Sequence, residues 1–252
     1  MKVVYNNSIK QITVLDERYY QDLNSEEYFP SVNTILDVYP KGYGYIQWLK
    51  DLGSNAEEVL KRAGDQGSKI HDAIQSLLEG KEIKWIDGEK ENYTLDEWQM
   101  IIKFKEFYDR YNPETIAVEV SMVDSELGFG GTLDYVCKIN NEVWYIDWKS
   151  GGNIYKTNKI QASAYKELWN KSSEIKIERM GCMHLRAMTR GEDKTGKQIQ
   201  GEGWKLEEIK DSDHLFDLFK HAQFIWKEEN PNPKPKNMTY PDRLTLVEGG
   251  DK

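Results

Sequence analysis

Three features of the 252-residue chain predict an α/β fold, an α+β sandwich with a mixed central sheet flanked by helices. Apolar residues recur three and four apart in LDEWQMIIKFKEFYDRY, residues 95–111, as on a buried helix face. After Asn112-Pro113 the pattern changes to strands: TIAVEVSMVD, then TLDYVCKI and EVWYIDWKS, with Asn140-Asn141 as the hairpin turn between the last two. Helical spacing returns in TNKIQASAYKELWN, residues 157–170, and the strand IKIERMGCMHLRAM follows it. Helices, three antiparallel strands, a helix, a strand and a closing helix are the parts of a sheet with helices packed on it.

The other elements follow in order. The first thirty residues read as short strands and a charged loop, ITVLD and then DERYYQDLNSEE. Ser31 can cap a short helix that Pro40 ends, and GYIQWLKDLG is a second, closed by Gly53. Residues 55–63 are helical in pattern, and Gly64 and Gly67 are expected to break them before SKIHDAIQSLLEG, which Gly80 terminates. ELGFGG reads as a turn and residues 183–201 as a polar loop. GWKLEEI is a candidate edge strand and DSDHLFDLFKHAQFIWKEE a capped amphipathic helix. The expected organisation is an N-terminal strand and helical cap region over 1–63, a core over 64–228 that includes the C-terminal helix, and a proline-rich polar tail over 229–252.

Composition bounds the function. Hydrophobic residues make up 38% and charged residues 31%, as in a globular protein with a highly charged surface. No apolar run is long enough to span a bilayer, and MKVVYNNSIKQ lacks the apolar core of a secretion signal, so a cytoplasmic location without membrane contact is expected. Cys137 and Cys182 are too few for a disulfide framework or a four-thiolate cluster. The net charge of −9 argues against a general nucleic-acid binder, whose phosphate contacts normally show as a basic excess. It leaves room for one basic groove inside an acidic shell.

Chemistry concentrates on the hairpin. A two-residue turn at Asn140-Asn141 sets a register that places Asp134 opposite Asp147 and Thr132 opposite Lys149. The other face then carries Leu133, Tyr135 and Cys137 against Trp148, Ile146 and Trp144, and this wholly apolar set supports the register. Directly opposed residues have Cβ atoms about 4.5–5.5 Å apart, where two ionised carboxylates repel. Such a pair shares a proton or holds a cation, and hard divalent ions prefer oxygen ligands. Lys149 projects on the face of Asp147, two residues on. Residue types alone also allow a surface ion-pair cluster. The apolar neighbours Val136, Val143 and Tyr145, with glycine pairs at 130–131 and 151–152, point instead to the floor of a pocket.

GTLD (Gly131 to Asp134), DWK (Asp147 to Lys149) and QASAY (Gln161 to Tyr165) occur in that order, with a glutamate, Glu119, on the preceding strand and a histidine, His71, on an upstream helix. Together they resemble the PD-(D/E)XK nuclease superfamily, in its RecB-like and phage-type exonuclease branch, over about residues 64–187. The resemblance implies a restriction-endonuclease-like core and one or two Mg²⁺ or Mn²⁺ ions held by His71, Asp134, Asp147 and the backbone carbonyl of Trp148. Lys149 would orient the attacking water and stabilise phosphate charge, and Glu119 would hold a second ion or a water. Gln161, Tyr165 and Ser150 would face the substrate, with Lys156 and Lys159 on its phosphates. Two cysteines exclude the iron–sulfur cluster that some relatives carry.

The resemblance further implies DNA as substrate, as single-stranded or duplex linear ends, in phage or bacterial recombination, replication or repair. A recombination or single-strand-binding protein is a compatible partner, and for a phage-encoded chain the compartment would be the host cytoplasm. A flap- or branch-cutting endonuclease of the same fold and a catalytically silent nucleic-acid-binding protein remain open. KGYGYIQWLK, Lys41 to Lys50, carries aromatic residues able either to stack bases or to pack a helical cap on the core.

Overall fold

A computed structural model describes residues 8–14, 17–236 and 243–244. An antiparallel ribbon opens it: β1 (Ile9–Val14), β2 (Glu17–Asp22) and β3 (Tyr28–Pro30). Three helices follow, α1 (Val32–Leu36), α2 (Tyr43–Leu52) and α3 (Ala56–Leu78). The two-residue strands β4 (Ile86–Asp87) and β5 (Lys90–Glu91) form a small hairpin before α4 (Leu95–Tyr111). Next come β6 (Glu114–Asp124), β7 (Phe129–Ile139), β8 (Glu142–Lys149), α5 (Lys156–Ser172) and β9 (Arg179–His184). A hairpin of β10 (Arg190–Glu192) and β11 (Gln198–Gln200), then β12 (Lys205–Ile209) and α6 (Ser212–Glu229), close the chain. Among the described residues no helix is long and apolar enough to cross a membrane.

The central sheet has the order β12-β9-β8-β7-β6. All neighbours are antiparallel except β8 and β9, which are parallel and joined through α5. The sheet is therefore mixed and helix-flanked, as the sequence predicts. One face packs Ile70 and Ile74 of α3 and Met100, Phe104 and Phe107 of α4 against Tyr135, Cys137, Trp144, Ile146 and Trp148. The other packs α1, α5 and α6 against Leu133, Val136 and Tyr145. Asn140 and Asn141 both have positive φ, which the tight hairpin turn requires.

Several expectations are corrected. Gly64 and Gly67 do not break a helix: α3 runs unbroken for 23 residues. Each glycine costs a helix about 1 kcal/mol relative to alanine, and the buried stripe of Ile70, Ala73 and Ile74 outweighs that. The boundary expected at 63/64 thus lies inside one helix, and Val32, Ile35 and Leu36 from the cap region belong to the main core. ERYYQD, expected as loop, is strand β2, because pairing with β1 and β3 buries Tyr19 and Tyr20. The first helix ends at Leu36, before Pro40. Gly130 and Gly131 belong to β7 rather than to a turn. The polar stretch 183–201 contains the β10–β11 hairpin. Most of the 229–252 tail lies outside the described residues.

A phase change sits where β6 and β7 approach the site. Val118 pairs with Tyr135 and Val120 with Leu133, yet the first pair faces the α3–α4 layer and the second faces the α5–α6 layer. Strict alternation would keep them on one side. Glu119, between them, has φ +47, and this left-handed residue turns the strand over. Leu133 consequently leaves the face it was expected to share with Tyr135 and Cys137.

Two glycine substitutions should separate packing from propensity. A Cβ at Gly131 would lie 2.2 Å from the Tyr165 ring, so Gly131→Ala should destabilise by roughly 1–3 kcal/mol in denaturant titrations. At Gly64 nothing lies within 4 Å, and Gly64→Ala should stabilise by about 0.5–1 kcal/mol. A neutral Gly64→Ala would contradict the continuous helix.

Candidate metal and phosphate site

The five β7–β8 pairs run from Ile139 and Glu142 to Tyr135 and Ile146, in the register read from the turn. The ladder stops there, one pair short of the two aspartates. Asp134 turns its carboxylate to accept the Trp148 backbone N–H at 3.0 Å, and Asp147 pairs along β9 with Cys182. Asp134 and Asp147 therefore share the site without being ladder partners, and the strands part where two acids would have been forced together. Thr132 likewise does not face Lys149 across a ladder; it bonds Ser121 at 2.9 Å and the Tyr20 hydroxyl at 3.0 Å.

Glu119 and Asp134 share His71 as a partner, whereas Asp147 is paired with Lys149. Glu119 lies 3.2 Å from His71 Nδ1, and Asp134 lies 3.7 Å from the same nitrogen. His71, Glu119 and Asp134 each bring one ligand atom within 4.8 Å of the others, a grouping compatible with a divalent cation. Asp147, 2% exposed, is the partner of Lys149, whose Nζ stands 2.8 Å from Oδ2 and 3.0 Å from Oδ1. The Tyr145 hydroxyl donates to Asp147 Oδ1 at 3.3 Å and the Cys182 thiol to Oδ2 at 3.7 Å. Lys149 also donates to Gln161 Oε1 at 3.2 Å. The Gln161 amide donates to Asn33 Oδ1 at 2.8 Å and to the Tyr165 hydroxyl at 3.4 Å. Tyr165 does double duty, since its ring also lies against Gly131 and edge-on to Tyr145.

One open cavity of about 400 Å³ collects these groups. His71, Glu119, Asp134, Asp147, Lys149, Gln161 and Tyr165 all line it, as the sequence reading requires. The remaining expected residues are not among those lining this cavity, although Ser150 stands against Gly67, which is. The Trp148 ring is buried among Phe104, Phe107 and Tyr135, and its amide is the group that meets Asp134. Lys156 and Lys159 line a separate cavity with Lys210 and His214, and Lys159 is ion-paired to Glu207 at 2.5 Å. Gln11, Arg18, Asn33, Gly67, Ser68, Asp72 and Thr132 complete the cavity wall, and of these sequence reasoning brought only Thr132 to the site. Arg18 comes from the segment read as a charged loop and Gln11 from β1, just ahead of the strand read at ITVLD, and no spacing pattern links either to the hairpin.

Electrostatics follow from crowding. Burial disfavours a charged His71, but Asp134, Glu119 and Asp147 outweigh it and raise its pKa to about 9. Burial raises Asp134 to about 7 against the pull of His71, with Asp147 and Glu119 adding to the rise. Burial also opposes the charge on Lys149, yet Asp147 and Asp134 raise its pKa, so it remains an ammonium at neutral pH.

The sequence matches no protein-family model, and no curated protein is significantly similar to it. Any functional reading rests on the residues and their arrangement.

The shifts fix a pH dependence. A histidine whose folded pKa lies above its unfolded value of 6.5 contributes stability that is complete below pH 6.5 and lost as pH rises through about 9. Asp134, also raised, acts in the same direction at lower pH. In chelator, the melting temperature should fall between pH 7 and 9, and His71→Asn should flatten that slope. A slope unchanged by His71→Asn would contradict the His71–Glu119–Asp134 coupling.

Proposed function

We propose that the chain is a Mg²⁺- or Mn²⁺-dependent deoxyribonuclease of the PD-(D/E)XK type that hydrolyses phosphodiester bonds at the ends of linear DNA, in phage or bacterial recombination, replication or repair. The observation that carries this reading is the juxtaposition, in one open cavity, of His71, Glu119 and Asp134 with a lysine clamped by Asp147 and Gln161. Two hard carboxylates and an imidazole suit Mg²⁺ or Mn²⁺, and a cation would favour the ionised form of Asp134, whose pKa burial raises with Asp147 and Glu119 adding to the rise. A bound ion would lower the pKa of a water and neutralise charge growing on the phosphoryl group. Asp147 stands beside that group of ligands, held by Lys149, Tyr145 and Cys182.

The chain's own groups supply position and fixed charge. Lys149 is held as an ammonium, so it acts on phosphoryl oxygens electrostatically rather than as a proton acceptor. Gln161, oriented by Asn33, keeps the ammonium from swinging out of the cavity. The mixed sheet with antiparallel β6–β7–β8, crossing helix α5 and parallel β9 has the order expected of a restriction-endonuclease-like core.

End-labelled linear single- and double-stranded DNA, closed single-stranded circles and RNA, each incubated with Mg²⁺ or Mn²⁺, test the reading. Linear DNA should be degraded and circles spared, with Asp134→Ala and Lys149→Ala slower by roughly 10²-fold or more. Lys149→Ala leaves Asp147 buried without its partner, so melting curves must show the variant folded. Cleavage of circles would select the flap- or branch-cutting endonuclease. Cleavage of RNA alone would overturn the DNA assignment, and equal inertness of all three proteins would overturn the enzyme.

A further inference from the structure

The cavity contains a cation that neither the hairpin nor its acids account for. Arg18, on β2, lines the same cavity as Asp134, Asp147 and Lys149. Lys149 is spoken for by Asp147, whereas among the described residues no carboxylate lies within ion-pair distance of Arg18. Its guanidinium acts on the Tyr20 hydroxyl, whose pKa burial raises and Thr132 and Arg18 draw back down.

Arg18 is also held. Its backbone N–H donates to Thr34 Oγ1 at 2.9 Å, and its carbonyl accepts from the Ser31 N–H at 2.8 Å and the Thr34 hydroxyl at 3.0 Å. Ser31 caps α1 through the Thr34 N–H, so the start of that helix fixes the arginine's backbone on the main core. Asn33, from the same tetrapeptide, holds Gln161. Arg18 and Tyr20 are two apart on one strand and share a face, and Gln11, paired with Tyr20 across the ribbon, completes it. These main-chain bonds fix the point from which the arginine side chain leaves the strand.

We infer that Arg18 is a substrate-contact residue, a guanidinium supplied by the N-terminal ribbon that binds a non-bridging oxygen pair of the phosphodiester in the cavity. A guanidinium fork matches the two oxygens of a phosphate, and a pair of charge-assisted hydrogen bonds fixes its orientation. Four acids line the cavity, Asp72, Glu119, Asp134 and Asp147, and Lys149 is ion-paired to Asp147, so the unpaired guanidinium adds to the lysine's attraction for the diester's charge. This inference rests on the nuclease reading of the same cavity.

The test is binding of a short single-stranded oligonucleotide in chelator, followed by fluorescence anisotropy across a salt series, for wild type, Arg18→Ala and Arg18→Lys. Arg18→Ala should weaken binding roughly tenfold and reduce the slope of log K against log salt by about 0.7, the value for one phosphate contact on a single strand. Arg18→Lys should restore the slope, which counts charge, but not the full affinity, which needs the fork. Melting curves verify that each variant keeps the fold. Wild-type binding with an unchanged Arg18→Ala affinity and slope would overturn the arginine's role and leave the nuclease reading standing. If wild type binds no nucleic acid in chelator or with Mg²⁺, both fall together.

Discussion

Three carboxylates on neighbouring strands, Glu119, Asp134 and Asp147, share one cavity with a fourth, Asp72, against His71 of α3, Lys149 of β8 and Arg18 of β2. That imbalance shapes everything around it. The β7–β8 ladder ends just before the aspartates would pair, and Asp134 takes the Trp148 amide in place of a strand partner. Glu119 occupies a left-handed backbone conformation, which costs a non-glycine residue about 1–3 kcal/mol and persists only where its surroundings enforce it. The turn it makes points its carboxylate at His71.

Holding such a cluster demands rigid walls, and the N-terminal segment builds one of them. Ser31 caps α1, Thr34 grips the Arg18 backbone, and Asn33 orients the amide that restrains Lys149. Opposite, α3 carries His71 along a helix anchored by Ile70 and Ile74. Gly131 lets the Tyr165 ring lie flush against β7, bringing Gln161 within reach of the lysine. The cap region and core are therefore parts of one site.

The hairpin was legible because its turn, alternation and apolar back face all agree on one register, as a sheet with one buried face demands. His71, Glu119, Gln161 and Tyr165 were reachable only through the family resemblance, since no local rule brings a residue from α3 to the end of β6. The turnover at Glu119 was invisible because glutamate is not a residue type that favours left-handed backbone. Gly64 and Gly67 misled for the opposite reason, their local penalty being small beside the burial of one helical face. Arg18 and Asn33 were hidden by distance: ERYYQD has too many charges to look like a strand until Tyr19 and Tyr20 are seen to be buried.

If His71, Glu119 and Asp134 hold a divalent cation, its binding must displace protons that the metal-free cluster retains. Calorimetric titration of Mn²⁺ at neutral pH, in two buffers that differ in ionisation enthalpy, tests it without reference to catalysis. Saturable binding with net release of roughly one proton, lost in Asp134→Ala, is the predicted result. Absence of saturable binding, or binding that Asp134→Ala leaves intact, would contradict it.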